Sequence, residues 1–173
     1  MTVTSGPFTL RNVSQGEYWV GVAGAPPDYY LKAARLGGED LLENGLEIAG
    51  GRLPGPLELT LSPNGARVEG VVLTEVNQPF GGAQVTLVPE KRRRDRLEFY
   101  KSTTTDQYGR FTLRGIPPGE YKLFAWEEIE RGAQRDPKFL KPHEGRGQEV
   151  RLREGEQSAV ELKLIRPGEA ALR

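Results

Sequence analysis

The only histidine of the chain, His143, carries the side chain best suited to proton transfer near neutral pH. Two carboxylates close to it in sequence, Asp136 and Glu144, could orient its imidazole ring. Nucleophilic catalysis would also require an activated serine or cysteine, but cysteine is absent and no serine stands in a recognisable elbow motif. We therefore interpret His143 as a surface loop residue and predict a protein that is not an enzyme.

Metal binding is a second chemistry that the carboxylates could support. Asp106 could offer oxygen ligands together with Glu98 or Asp95, but calcium takes about six to eight oxygens and no Asp-rich loop is present. The lack of cysteine and the single histidine also exclude thiolate and histidine-rich sites. We predict that Asp106 stabilises a turn that ends at Gly109, and that the protein has no metal or cofactor.

The densest basic run, Lys91 to Arg96, could bind phosphate or an anionic glycan. It lies between two strand patterns, and no aromatic residues interrupt it as they do in proteins that bind single-stranded nucleic acid. We interpret the run as a solvated hairpin loop. Because the net charge of the whole chain is zero, no overall basic field indicates a nucleic-acid partner.

Three aromatic side chains fall on strand faces opposite to those expected in the core: Trp19, Phe124 and Trp126. Exposed aromatic rings can stack on sugars or anchor a protein partner. A loop or a neighbouring module could also cover them. The sequence leaves open a glycan contact, a protein contact and simple burial.

Composition indicates the elements that must position these residues. The 173 residues include 22 glycines and 13 prolines between short β-branched runs, which is typical of many strands joined by turns. The apolar runs are too short to span a bilayer, so we expect no membrane-spanning segment. The start of the chain does not have the charged and apolar segments of a signal peptide.

An internal repeat organises the chain. Residues 6–22 read GPFTLRNVSQGEYWVGV and residues 109–125 read GRFTLRGIPPGEYKLFA, with an offset of 103 and 8 of 17 positions identical. The same offset places LELTL at 57–61 on VELKL at 160–164. One register held at both ends indicates two copies of a single unit.

The offset also exposes a gap in the first copy. The second copy begins near Arg67 with RVEGVVLTEVNQPFGGAQVTLVPE, and the counterpart of this segment would lie before residue 1. We therefore predict two tandem modules, residues 1–66 and residues 67–173, the first of which lacks its N-terminal strands. The short junction Ser62–Arg67, which contains a proline, predicts a fixed arrangement of the two modules.

Alternation of apolar and polar residues marks the strands. One-sided alternation favours antiparallel sheets packed into a sandwich, so the predicted fold class is all-β. One helical turn each is expected in EDLLENGL, capped by Gly45, and near Lys138–Lys141. The predicted core of the second module consists of Val85, Leu87, Phe111, Leu113, Tyr121, Leu123, Val160 and Leu162.

Four segments in order carry a family resemblance: Val68–Val72, Gln78–Val85, Thr105–Phe111 and Ile116–Tyr121. Together they resemble the carboxypeptidase regulatory-like module, an Ig-like, transthyretin-like β-sandwich found in tandem in large bacterial cell-envelope proteins. The resemblance covers residues 67–166 fully and residues 6–61 in part. It implies a non-catalytic structural or accessory role in an extracellular or cell-envelope protein, and it supplies no catalytic residues.

A sandwich that lacks strands exposes core side chains and an unpaired sheet edge, which a neighbouring molecule can fill by strand addition. Residues 1–66 carry 4 basic and 7 acidic residues, net −3, and residues 67–173 carry 20 and 17, net +3, which favours head-to-tail association. We expect a homo-oligomer or filament. The alternatives are a longer array with the missing strands upstream and a carbohydrate-binding module. By the offset, the residues that fall on the start of a first strand are Glu169, Ala170, Ala171, Leu172 and Arg173.

Overall fold

The computed structural model describes residues 6–50 and 55–168. Strands β1 to β5 are Gly16–Tyr18, Tyr30–Leu36, Glu39–Asp40, Leu46–Ile48 and Leu57–Ser62. Strands β6 to β12 are Ala66–Leu73, Gln84–Pro89, Lys101–Thr104, Arg110–Ile116, Gly119–Trp126, Gln148–Leu152 and Gln157–Ile165. The α-helices α1 (Leu41–Asn44) and α2 (Pro137–Leu140) are one turn each, and short 3-10 helices lie at Lys91–Arg93, Leu97–Phe99, Ala133–Arg135 and Lys141–Arg146. The all-β prediction is confirmed, and both helical turns lie where the sequence indicated.

Residues 66–165 form a sheet that folds over on itself. Its strand order is β8-β7-β10-β12-β6-β9, and β11 pairs with β10 beside this path. Strands β10 and β12 share only two pairs, Ala125–Leu164 and Trp126–Ile165. On either side of this narrow connection the two halves pack face to face, because side chains of both halves form one buried cluster.

The core lies between these two halves, and it contains the residues that the alternation pattern predicted. Seven of the eight are buried, and Val160 packs against them from a partly buried position. Ala66, Val68 and Val72 of β6 complete the cluster from the other half of the sheet. The predicted core is therefore confirmed.

The predicted antiparallel arrangement is wrong for two of the pairings. Strand β12 runs parallel to β6, from Gln157–Arg67 to Lys163–Leu73, and parallel to the end of β10. Alternation reveals which face of a strand is buried but not the direction of its neighbour. The sandwich therefore contains both parallel and antiparallel pairings. Its last strand runs parallel to its first strand, and these two strands are far apart in sequence.

Residues 6–62 form two smaller sheets. Strand β1 pairs with β4, and a second sheet has the order β3-β2-β5, which leaves β5 at an edge. Their fully buried cluster is small, with Ala34, Leu36 and Leu41 at its centre. Leu46, Leu57 and Leu59 are among the side chains that pack against this centre without being fully buried.

Local geometry recurs at positions that the repeat aligns. The Tyr18 hydroxyl donates to the Ser14 carbonyl at 3.0 Å, and the Tyr121 hydroxyl donates to the Pro117 carbonyl at 2.8 Å. Strand β1 pairs with β4 and β10 pairs with β11, and both pairings are antiparallel. Asn12 (φ 57°) occupies the left-handed region that its counterpart Gly115 (φ 63°) also adopts.

Truncation of a core side chain tests the sandwich. We expect Leu123→Ala to lower the free energy of unfolding by about 2–5 kcal/mol, because the fully buried Leu123 side chain would leave a cavity. Leu97→Ala is the matched control, since the Leu97 side chain is exposed. Urea denaturation followed by circular dichroism measures both variants. Equal losses for the two would contradict the assigned core.

Candidate functional site

Phe124 and Trp126 lie on the outer face of β10, as the alternation predicted, but they are buried. The rings of the two residues stack at 5.5 Å, and Phe139 of α2 contacts Trp126 at 5.2 Å. The Trp126 indole N–H donates to Thr86 Oγ1 at 3.0 Å. Of the alternatives that the sequence left open for Phe124 and Trp126, the structure therefore shows burial. The irregular segment after β10 covers both rings, which was one of the alternatives left open by the sequence.

His143 belongs to the cover of this second cluster. Its ring packs edge-on against Trp126 at 5.1 Å and tilted against Phe139 at 5.4 Å. Burial, and secondarily the charge of Arg146, lowers the pKa of His143. Glu144 pairs instead with Arg94, at 2.6 Å. The structure thus gives His143 a packing role and does not bring it together with Glu144 as an acid–base pair.

Asp106 holds the turn between β8 and β9. The backbone N–H groups of Tyr108 and Arg110 both donate to its Oδ1 at 2.9 Å, and Gly109 takes a φ of 73°. The side chain is thereby committed to the turn, as predicted. In the parts of the chain that the structure describes, no group of three or more histidine, cysteine or carboxylate side chains is arranged to hold a metal ion.

The basic run forms the predicted loop, but the prediction that it is fully solvated is wrong. Lys91 and Arg92 are exposed, whereas Arg96 is buried. Arg94 pairs with Glu144, and Arg93 approaches Glu43 at 3.6 Å. The inner arginines of the run therefore make contacts within the protein, and its outer end is exposed to solvent.

Arg96 connects the part of the chain that contains the sandwich, residues 66–165, with residues 6–62. Its guanidinium group lies 4.9 Å from the Trp19 ring centroid and 4.6 Å from the Phe99 ring centroid. It donates to the Leu42 carbonyl and pairs with Glu98. Trp19 remains 48% exposed with this cation over its ring. Sequence reasoning missed this role, because the burial of an arginine depends on partners that are distant in sequence.

A second contact between residues 6–62 and residues 66–165 surrounds Glu154, in the turn between β11 and β12. Lys32 Nζ lies 2.8 and 2.9 Å from its carboxylate oxygens, and the Ser62 hydroxyl donates to it at 2.7 Å. These donors, Lys32 foremost, lower the pKa of Glu154 from 4.5 to about 2. No sequence signal pointed to this pair, since its members are 122 positions apart.

Backbone hydrogen bonds also contribute to the same junction. The Gly65 N–H donates to the Asp28 carbonyl at 2.9 Å, and the Gly155 N–H donates to the Asn64 carbonyl at 2.7 Å. A Cβ atom on Gly65 would lie 2.5 Å from Gly115 Cα. Glycine at position 65 is therefore required by close approach of two backbones.

An open cleft of about 660 Å³ lies between the basic loop and the outer faces of β10 and β11. Several of its cations and carboxylates are paired with one another, for example Lys122 with Glu149 at 3.3 Å and Arg94 with Glu144 at 2.6 Å. The Tyr121 ring that borders it is buried and its hydroxyl is already bonded. The cleft offers neither an aromatic platform for a sugar nor an excess of one charge. Its charged lining residues are Glu90, Lys91, Arg94, Glu120, Lys122, Glu144, Glu149 and Arg151.

One apolar face of the repeat is exposed in the first copy and buried in the second copy. Phe8, Leu10 and Val13 are 52%, 65% and 44% exposed. Their counterparts by the offset, in β9, are 5%, 4% and 0% exposed: Phe111, Leu113 and Ile116. In the second copy β9 pairs with β6 within the sheet, and these side chains are buried in the core cluster between the two halves of the sandwich. We call Phe8, Leu10 and Val13 the open face.

An unpaired edge occurs at β5. Strand β5, the counterpart of β12, has β2 on one side and no strand on the other among the described residues. In the second copy the corresponding strand β12 takes β6 as its parallel partner. The predicted strand donor, residues 169–172, lies outside the described residues.

Residues 67–164, more than half of the chain, match the model of the carboxypeptidase regulatory-like domain. The chain belongs to this family. No curated protein sequence matches the chain. None of the helices among the described residues has the length and apolar character needed to cross a membrane.

Solved structures with similar folds are distant from the regulatory-like domain. The Bacillus anthracis TIE protein is 17% identical, with 62% of this chain and 19% of that chain covered and a TM-score of 0.38. The major pilin subunit of Bacillus cereus is 18% identical, with 64% and 33% covered and a TM-score of 0.38. The 5-hydroxyisourate hydrolase of Klebsiella pneumoniae is 22% identical, with 60% and 87% covered and a TM-score of 0.33. At these scores none of them assigns an activity or a partner to this chain.

The Glu154 contact predicts a pH-dependent junction. A carboxylate whose pKa is lowered by folding stabilises the folded state above its unfolded pKa and loses that contribution as the pH falls towards the folded pKa. We expect the difference in melting temperature between the unmodified protein and Glu154→Gln to be full above about pH 5. It should shrink as the pH falls from 4.5 towards about 2.

Differential scanning calorimetry across this pH range measures that difference. Glu128→Gln, which alters an exposed glutamate after β10, is the control and should give no such trend. A difference that stays constant between pH 6 and pH 2.5, or one that grows on acidification, would show that the Glu154 carboxylate does not stabilise the junction.

The buried arginine gives a second comparison within one loop. We expect Arg96→Ala to cost about 1–3 kcal/mol of unfolding free energy, because the Leu42 carbonyl and Glu98 lose their donor. Arg92→Ala, which removes an exposed guanidinium group from the same loop, should change stability little. Chemical denaturation followed by tryptophan fluorescence compares them. Similar effects for both would contradict the bridging role of Arg96.

Proposed function

We propose that this protein is a non-catalytic assembly unit built from two tandem modules, residues 1–66 and residues 67–173. The first module is incomplete and is finished by a β-strand that comes from outside residues 6–62. The second module is a complete sandwich that supports the first through the junction at Arg96 and Glu154. The family resemblance makes the extracellular space or the cell envelope the expected location.

The exposure of the open face is the observation that supports this proposal. Burial of an apolar side chain of this size is favourable by about 1.5–3 kcal/mol, so Phe8, Leu10 and Val13 gain substantially from a covering strand. The unpaired edge of β5 offers backbone hydrogen bonds to an added strand. Paired backbone groups and a buried apolar face are the two components of strand addition.

The chain contains a candidate donor for a head-to-tail contact. By the repeat offset, residues 169–172 fall on the start of β6. The net charges of −3 for residues 1–66 and +3 for residues 67–173 favour contact between opposite ends of two molecules. A head-to-tail contact that does not close into a ring leads to filaments.

Carbohydrate binding, the alternative that the sequence left open, loses support. Two of the three aromatic side chains on which it rested, Phe124 and Trp126, are buried in a cluster of their own. Trp19 alone is accessible, and Arg96 occupies one of its faces. The assembly role therefore accounts for more of the chain.

Deletion of residues 167–173 tests the assembly. We expect the full chain to form oligomers whose size grows with concentration, and the truncated chain to be a monomer by light scattering. Leu10→Asp should have the same effect, because it places a charge on the open face. Val76→Asp, at an exposed apolar residue in the β6–β7 turn, is the control and should leave assembly unchanged. Unchanged oligomers after the deletion, or a full chain that is monomeric at high concentration, would refute tail-mediated assembly.

A further inference from the structure

We infer that two molecules of this chain pair through strand β11, in an antiparallel and two-fold symmetric contact centred on Val150. This inference goes beyond the proposed head-to-tail assembly, because it concerns a different surface and a different symmetry. Two observations carry it: the free edge of β11 and the order of the charges along that strand.

Strand β11 lies at an edge of the sheet formed by residues 66–165. It pairs with β10 from Gly119–Leu152 to Leu123–Gln148, and among the residues that the structure describes no strand pairs with its other side. Alternate backbone N–H and carbonyl groups of an edge strand point away from its one neighbour. A strand of a second molecule can pair with these groups by strand addition.

The outer face of β11 carries one acidic and one basic side chain, on either side of Val150. Because side chains alternate along a strand, Glu149 and Arg151 point to the same face. Their side chains are 79% and 80% exposed. Strand β10 continues the pattern, since Lys122 Nζ lies 3.3 Å from Glu149 Oε1. Beside it, Glu120 Oε1 lies 3.9 Å from Arg151 Nε.

A two-fold axis at Val150 makes this pattern complementary to itself. In antiparallel pairing about that residue, each Glu149 lies opposite the partner's Arg151, and the two valines lie opposite each other. Each row across the joined sheets then alternates in charge, and it consists of Lys122, Glu149, the partner's Arg151 and the partner's Glu120. Opposite charges that face each other on neighbouring strands stabilise the pairing.

The same charges disfavour the neighbouring registers. A shift of two residues brings Glu149 opposite the partner's Glu149 in one direction, and Arg151 opposite the partner's Arg151 in the other. A shift of one residue would set the outer face of one strand against the inner face of the other. Charges protect a sheet edge when they meet like charges, and in the register centred on Val150 these two meet none.

The symmetry and size of the contact distinguish it from head-to-tail assembly. Since both molecules use the same surface, the contact closes at two copies. One pair of five-residue strands buries less than the roughly 1,200 Å² of a standard interface, so we expect a dissociation constant of about 0.1 mM or more. Such dimers form in concentrated solution, whereas dilute protein, including the chain without residues 167–173, lacks them.

Disulfide trapping in the full chain tests the contact, since the chain has no cysteine of its own. Opposite residues of an antiparallel pair have Cα atoms about 4.5–5.5 Å apart, which a disulfide can span. Ser102→Cys is the control, because Ser102 is exposed on β8, the edge strand at the other end of the β8-β7 path. At about 0.2 mM protein under mild copper–phenanthroline oxidation, Val150→Cys should form linked dimers at least about tenfold faster than this control. Non-reducing gel electrophoresis measures both rates, and circular dichroism checks that each variant is folded.

Charge reversal tests the register. Glu149→Arg or Arg151→Glu, each added to the Val150→Cys chain, should slow cross-linking at least about fivefold, because like charges then face each other across the axis. A mixture of these two chains should restore fast cross-linking, since every opposed pair in the mixed dimer again joins an acid and a base.

Two results would overturn the inference. Val150→Cys that cross-links no faster than Ser102→Cys would show that β11 does not pair with itself. A mixture that stays as slow as its two components would show that the charges do not set a two-fold register. Neither result bears on the head-to-tail contact, because these variants leave the tail and the open face unchanged.

Discussion

The sandwich depends on the pairing of β6 with β9 on one edge and with β12 on the other. This strand pairs with one neighbour on each edge and places Val68 and Val72 in the centre of the core. Its two partners, β9 and the last strand β12, both lie far from it in sequence, so β6 connects distant parts of the chain. Residues 6–62 contain sequence counterparts of both partners; in the counterpart of β9, Phe8, Leu10 and Val13 are exposed.

The small core of residues 6–62 is accompanied by polar contacts with residues 66–165. Ala34, Leu36 and Leu41 bury little apolar surface, and a unit of this size is marginal without further support. The second module supplies a buried cation at Arg96 and a carboxylate at Glu154, each paired with groups of the first module.

Sequence patterns predicted what depends on local order and missed what depends on distant partners. Alternation placed Leu123 in the core and Phe124 on the opposite face, because it is a property of each strand alone. It did not reveal that the segment after β10 covers Phe124 and Trp126, since that cover is irregular and has no period. The parallel pairing of β12 and the burial of Arg96 both require contacts across many residues, which a single sequence does not display.

The two copies adopt different secondary structure where their sequences have different secondary-structure preferences. Tyr30–Leu36 alternates and forms β2, which pairs with β5. The counterpart of this strand in the second copy contains Asp136-Pro137, and the Asp136 side chain caps α2 by accepting from the Lys138 N–H at 2.8 Å. A proline at the first helical position ends any strand there, so the segment folds across the outer face and buries Trp126. Equivalent segments of the repeat therefore have different roles: β2 pairs with β5, whereas the segment after β10 covers the outer face of that strand.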